Sequence, residues 1–131
     1  MKTKSIALLL LLTAFGLLLP VSAPAWEAVG DYGTATAAAG AATLNKSAGT
    51  ITSEALTTAA GSAYTLTLTN SQVAVGSVLA VTCDNGTNST AGIELGRVTP
   101  AAGSVVILVW NRHASSALNG TIKVQFAILK R

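Results

Sequence analysis

The side chains best suited to chemistry in this sequence are few, and they lie far apart along the chain. The only histidine, His113, lies within residues 111–121 (NRHASSALNGT), next to Arg112. A histidine can act as a general base if a nucleophile lies close by, or it can bind a metal ion together with other ligands. Serines and Asp84 are present, yet no G-x-S-x-G motif occurs to form a nucleophile elbow. We therefore predict that His113 is a loop residue and that the protein is not an enzyme.

Two carboxylates flank one polar loop. Asp84 and Glu94 are residue types that hydrolyse glycosidic bonds when they form a pair. We expect them instead near opposite ends of a hairpin, where single acids keep sheet edges soluble. Residues 84–90 (DNGTNST) offer oxygen ligands for Ca²⁺, but they lack the alternating acidic pattern of a strong calcium loop. Because no Cys/His cluster or phosphate loop occurs either, we predict no metal site and no cofactor.

The single cysteine and the asparagine sequons have ordinary explanations. Cys83 lies in the apolar segment 77–84 (SVLAVTCD). An unpaired cysteine of an exported protein is either buried or free to form an intermolecular disulfide, and we expect burial. Glycosylation sequons occur at four asparagines, Asn45, Asn85, Asn88 and Asn119. In a chain this rich in Asn, Ser and Thr they arise by chance, and they matter only in a eukaryotic secretory pathway.

The N-terminal residues 1–25 are typical of a secretory signal peptide. Lys2 and Lys4 precede the apolar run of residues 6–19, and small residues follow it. This pattern predicts cleavage after Ala25, or alternatively after Ala23. The run is shorter than the roughly 20 apolar residues of a membrane-spanning helix. We expect a secreted, cell-surface or periplasmic protein without membrane contact after cleavage.

Charge and length narrow the class of protein. The full chain has eight Lys and Arg against five Asp and Glu, a net charge of +3, and losing Lys2 and Lys4 leaves six against five, or +1. No basic cluster remains that could bind nucleic acid. The low net charge gives little self-repulsion, which suits a protein that assembles. About 106 residues remain after cleavage, the size of one β-sandwich.

Most of the chain after residue 48 alternates like β-strands. In residues 63–70, for example, Tyr64, Leu66 and Leu68 share one face and threonines the other. Turn residues separate the segments, and no helical period lies between them. We predict an all-β fold, a single antiparallel sandwich of jelly-roll-like type; an immunoglobulin-like sandwich is the second choice, since the Cys…Trp…Cys framework is missing. The predicted strands are 49–56, 63–70, 77–84, 92–98, 104–111 and 120–130.

Two predicted strands, 77–84 and 104–111, are apolar on both faces and are expected in the interior of the sheets. One face of each strand in a sandwich meets water, so their second face needs a cover. Loops, an extended or loosely ordered N-terminal arm (residues 26–40), or another subunit could supply it. With residues 41–131 as the sandwich domain, we expect a homo-oligomer and favour a trimer.

Residues 49–130 resemble small β-sandwich proteins encoded by tailed phages and prophages. The shared features are a threonine-rich strand ending in Thr69-Asn70, an NGTN turn at 85–88, PAAGSV at 100–105 and ALNGT at 117–121. The resemblance implies a virion surface, decoration or tail-associated module, located in the virion if phage-encoded. The signal peptide departs from this pattern, because phage virion proteins normally assemble in the cytoplasm.

These observations predict a non-enzymatic exported structural protein that self-associates or decorates a surface. The alternative is a secreted module that binds a carbohydrate or another ligand through the loops at 84–92 and 111–120. Carbohydrate binding usually needs exposed aromatic side chains, and few aromatic residues lie outside the predicted strands.

Overall fold

The computed structural model describes residues 31–129, which form eight strands in two sheets. The prediction of an all-β sandwich is confirmed. The predicted signal peptide, residues 1–25, lies outside the described residues, and none of the described segments is a helix long and apolar enough to cross a membrane. The strands are β1 (Tyr32–Thr36), β2 (Ala41–Thr43), β3 (Ala48–Thr52), β4 (Ala63–Thr69), β5 (Val78–Asn85), β6 (Ile93–Ala101), β7 (Ser104–Asn111) and β8 (Ile122–Leu129).

Each sheet has four strands, and the chain alternates between them. The first sheet has the order β1-β3-β8-β5, and the second has the order β2-β4-β7-β6. Among the described strands only β6 and β7 form a hairpin, and every other connection crosses to the opposite sheet. An immunoglobulin-like sandwich places more sequential strands side by side. The connectivity is therefore closer to the jelly-roll-like expectation.

Pairing is antiparallel except at one edge of each sheet. β1 pairs parallel with β3, and β2 pairs parallel with β4. A parallel pair needs a crossover connection, which the intervening strand in the other sheet supplies. The sequence predicts an extended or loosely ordered N-terminal arm over residues 26–40, of which the structure describes residues 31–40. The structure instead places β1 in the first sheet, in parallel register with β3, where Gly49 leaves room for the close backbone carbonyl of Gly33.

The core lies between the sheets and consists of the inward-facing side chains of each strand. On β8 the predicted alternation is confirmed, with Ile122, Val124, Phe126 and Ile128 buried and the residues between them mostly exposed. On β7, Val105, Ile107 and Val109 are fully buried. Val106, Leu108 and Trp110 on its outward face are half-buried. Neighbouring strands on both sides cover β7 in part, as expected for an interior strand.

The expectation that residues 77–84 form an interior strand is wrong. Within residues 31–129, β5 pairs only with β8, so it is an edge strand of the first sheet. A strand that is apolar on both faces is often an interior strand. The sequence of one strand, however, does not show which strands lie beside it. On β5 the outward residues Val78, Ala80 and Thr82 are exposed.

The two ends of the sandwich differ in character. Both described termini, Asp31 and Leu129, lie at one end, together with the loop of residues 70–77; we call this the terminal end. The long polar loops 53–62, 86–92 and 112–121 lie at the other end, the loop end.

Candidate functional site

His113 lies at the loop end, and its side chain closes a turn. Its Nδ1 accepts hydrogen bonds from the backbone N–H groups of Ser115 (3.2 Å) and Ser116 (2.9 Å). Its own N–H donates to Oδ1 of Asn111 at 3.0 Å. The nitrogen that could accept a proton in general-base catalysis is thus already occupied by two donors. The geometry is that of a loop residue, as the sequence suggested.

The two candidate carboxylates do not form a pair. Asp84 lies on the outward face of β5, where Gln125 Nε2 donates to it at 3.4 Å. Glu94 lies on the outward face of β6 and forms an ion pair of 2.7 Å with Nε of Arg112. The expected hairpin between them is wrong, because β5 and β6 belong to different sheets. The two side chains therefore point away from opposite faces of the sandwich, and they cannot hold one glycosidic bond between them.

The loop after β5 is organised by a buried asparagine. Asn88 is 4% exposed. Its Nδ2 donates to Asn85 Oδ1 and to the carbonyl of Thr90, while its Oδ1 accepts from the N–H groups of Thr90 and Asn119. These bonds engage the oxygen that a calcium ion would need. They also leave no room for a glycan on Asn88 in the folded state.

Two further buried asparagines hold other loops, and the sequence did not single them out for this. Asn111 is fully buried, and its Nδ2 donates to the carbonyls of Thr58 (3.0 Å) and Ser116 (2.9 Å). Asn70, equally buried, donates to the carbonyl of Lys46 and accepts from the N–H of Gln72. Asn70 directly follows β4 and Asn111 is the last residue of β7, so a position at the end of a strand is the sequence signal of their role. They are structural residues that connect distant loops.

Cys83 is partly buried on the inward face of β5. Burial, helped by the negative charges of Asp84 and Glu94, raises the pKa of its thiol. A thiol with a raised pKa is a poor nucleophile at neutral pH. The expected burial of Cys83 is thus met only in part.

A tryptophan with an arginine stacked on it lies on the outward face of the second sheet. Trp110 packs over Gly96, where an added Cβ would come within 2.8 Å of the indole ring. The guanidinium of Arg112 lies 4.8 Å from the centre of that ring and also binds Glu94. Because Arg112 already stacks on the indole, this aromatic surface is engaged within the protein.

The largest exposed apolar side chains gather at the terminal end. Within residues 31–129 there are four, Tyr32 (59% exposed), Val75 (79%), Val78 (43%) and Leu129 (52%). Val78 pairs with Leu129 across β5 and β8, and Val75 precedes them in the loop. Together with Gln72, these three line a groove of about 500 Å³. We call Val75, Val78 and Leu129 the apolar margin.

The sequence held partial signals for this surface. The apolar character of β5 on both faces indicated that Val78 would lack a cover. The alternation of β8 placed Leu129 on the outward face, next to the buried Ile128. Val75 gave no such signal, because a lone valine in a turn-rich loop has no period.

A second, shallower groove crosses the outward face of the first sheet. Its volume is about 290 Å³, and Tyr32 borders it. Ala48, Ala127 and Ala80 form its floor, because these residues are neighbours across β3, β8 and β5. Gln125 and Thr82 supply polar groups beside the alanines. The groove is a small-residue surface with one aromatic ring at its side.

In the part of the chain that the structure describes, no three His, Cys, Asp or Glu side chains are close enough to hold a metal ion. No family model, curated protein or solved structure matches this chain. The resemblance to phage sandwich proteins therefore stays a prediction.

Proposed function

We propose that this protein is a non-enzymatic, exported structural protein that self-associates at a surface. The observation that carries the proposal is the apolar margin of Val75, Val78 and Leu129. Contiguous exposed apolar side chains on a soluble protein mark interaction sites. The low net charge after signal cleavage adds support, because copies with little net charge repel each other weakly.

The buried polar side chains also support the proposal, because they are engaged in hydrogen bonds within the protein. Every buried side-chain nitrogen and oxygen among residues 31–129 has a hydrogen-bond partner. His113, Asn88 and Asn111 use their polar atoms to hold loops together. An active site usually keeps polar groups free to meet a substrate. The resemblance to phage modules suggests a cell or virion surface as the setting.

The solution mass of the exported, purified protein tests this proposal. We expect light scattering to give a multiple of the monomer mass over a wide concentration range. Replacing Val75 with Ser should weaken the assembly, whereas the same change at the inward-facing but partly exposed Val98 tests for a general loss of stability. A strict monomer at every concentration would overturn the proposal.

A second candidate function, carbohydrate binding, is favoured by the groove beside Tyr32. A flat alanine floor with an exposed aromatic ring and nearby amide and hydroxyl groups is suited to a sugar ring. In that case Tyr32→Ala should abolish retention on a glycan array without changing the solution mass. Equal retention of the unmodified protein and Tyr32→Ala, or no retention of either, would remove carbohydrate binding as a candidate function.

A further inference from the structure

The four edge strands of the sandwich differ in how they are protected from pairing with another strand. β1 and β2 are short, with five and three residues. β6 carries a register shift between Leu95 and Val98, a proline at position 100 and two charged residues. Short strands, bulges, prolines and charges are the usual means of blocking an edge. Among the four described edges, β2 and β6 therefore carry such protection, and β1 is shorter than β5.

β5 lacks all of these features. It has eight residues, and all of them pair with β8 in unbroken register. It contains no proline, lysine or arginine, and its one charge, Asp84, lies near its loop end. A long, regular, largely apolar edge is a ready template for another strand. β6 is the edge strand of the other sheet on the same side of the sandwich, and its edge is protected. On this side, therefore, β5 alone among the described strands has an unprotected edge.

The core is also incompletely covered beside β5. Its inward-facing residues Leu79, Val81 and Cys83 pack against the core but remain partly exposed. The inward-facing residues of the neighbouring β8 are buried. An additional strand beside β5 would cover this apolar layer and would satisfy the backbone groups of the edge at the same time.

We infer that β5 pairs antiparallel with β5 of a second copy, which joins the two first sheets into one eight-stranded sheet. The inference rests on the proposed self-association and names its interface. A two-fold axis through a pair formed by Ala80 and Ala80 of the second copy places outward residues opposite outward ones, and inward residues opposite inward ones. It also keeps the two Asp84 side chains apart, whereas parallel pairing would place them side by side.

The partner is a second copy because the strand is self-complementary. Its central residues, Leu79 to Val81, are apolar on both faces and carry no charge that would call for an opposite charge. Val78 of the apolar margin is the first residue of the same strand, so pairing about this axis would place it opposite Thr82 of the second copy. A strand of a different protein would not need to be complementary to a second β5, so this complementarity favours a second copy of the chain.

The test compares Ala80→Lys with Thr65→Lys by sedimentation at several concentrations. Both positions are exposed on outward strand faces, and both changes add one positive charge. Near the two-fold axis the two added ammonium groups would lie close together and repel. We expect the unmodified protein and Thr65→Lys to be dimers, or even-numbered assemblies of them, in place of the trimer favoured from the sequence. We expect Ala80→Lys to raise the dimer dissociation constant about tenfold or more.

Amide hydrogen exchange provides a second readout. Edge amides of β5 should gain protection as the protein concentration rises, and those of β1 should not. A trimer, or an assembly that Ala80→Lys leaves intact, would overturn β5 pairing while leaving self-association standing. A strict monomer would overturn both.

Discussion

At the scale of single residues, this protein uses polar side chains to build its loops. Asn111 connects the loop of residues 53–62 with the loop that carries His113. His113 in turn accepts two backbone N–H groups and fixes the start of its own loop. Such residues were recognisable in the sequence as turn formers. Their burial was not, because it depends on carbonyl partners up to 53 residues away in the chain.

Replacing Asn111 with Ala should destabilise the fold strongly. The change leaves the carbonyls of Thr58 and Ser116 and the N–H of His113 without their partner, which costs about 2–3 kcal/mol of unfolding free energy. Asn45→Ala is the control, because this exposed asparagine makes one bond, to the N–H of Ser71. It should cost less than about 1 kcal/mol. Urea unfolding measures both; equal losses would contradict the role given to Asn111.

Asp31 makes stability depend on acidic pH. The hydrogen bond from Lys46 at 2.6 Å lowers the pKa of its carboxyl group, and Gln72 adds a weaker contribution. A lowered folded-state pKa means that the carboxylate stabilises the fold above the ordinary aspartate pKa of about 4. This contribution is lost as the pH falls through the folded-state value.

We therefore expect the protein to be more stable than Asp31→Asn at pH 6, with the difference shrinking as the pH falls toward 2.5. Thermal unfolding across this range measures the effect. Because both side chains are nearly half exposed, added salt should reduce the difference at pH 6. A difference that is constant with pH would mean that the ionised carboxylate does not contribute.

At the scale of elements, the sequence predicted β3 to β8 with boundaries within a few residues. Alternation of large apolar side chains carries that information. β1 and β2 were missed because their residues are mainly Gly, Ala and Thr, which leave no apolar period. The edge position of β5 was also missed, since periodicity shows which face of a strand is buried but not which strands lie beside it.

The pairing of β1 with β3 makes Gly49 sensitive to substitution. A Cβ at Gly49 would come within 2.6 Å of the backbone carbonyl of Gly33. Gly49→Ala should therefore cost about 2–3 kcal/mol. At Gly33 the nearest atoms belong to the flexible side chains of Leu44 and Lys46, and Gly33→Ala should cost less. Urea unfolding of the two variants compares them. If residues 32–36 formed a loose arm, Gly49→Ala would be tolerated as well.

At the scale of the whole molecule, the sandwich has two unlike ends. The loop end is polar and internally bonded, whereas the terminal end carries the apolar margin and both described termini. A protein held at the terminal end would present the loops at 86–92 and 112–121 away from the attachment. Antiparallel pairing through β5 would instead direct the loop ends of the two copies in opposite directions. The binding alternative predicted from the sequence had assigned those same loops to a partner.

Export should leave a defined N-terminus. We expect the mature protein to begin at Trp26, or at Pro24 if cleavage follows Ala23. Intact-mass measurement of the exported protein distinguishes these products. Recovery of the chain with residues 1–25 attached would contradict the signal peptide, and it would raise the net charge from +1 to +3.

The alternation of the chain between sheets also bears on how fast the protein folds. Among the described strands, only β6 and β7 are both paired and consecutive in the chain. Other pairs join residues far apart in sequence, such as Thr52 with Lys123 and Asn85 with Ile122. Chains dominated by such distant pairings fold in milliseconds to seconds, far more slowly than helical bundles. For the export that residues 1–25 predict, such a delay would be useful, because a chain that has not yet closed its sheets can still be threaded across a membrane.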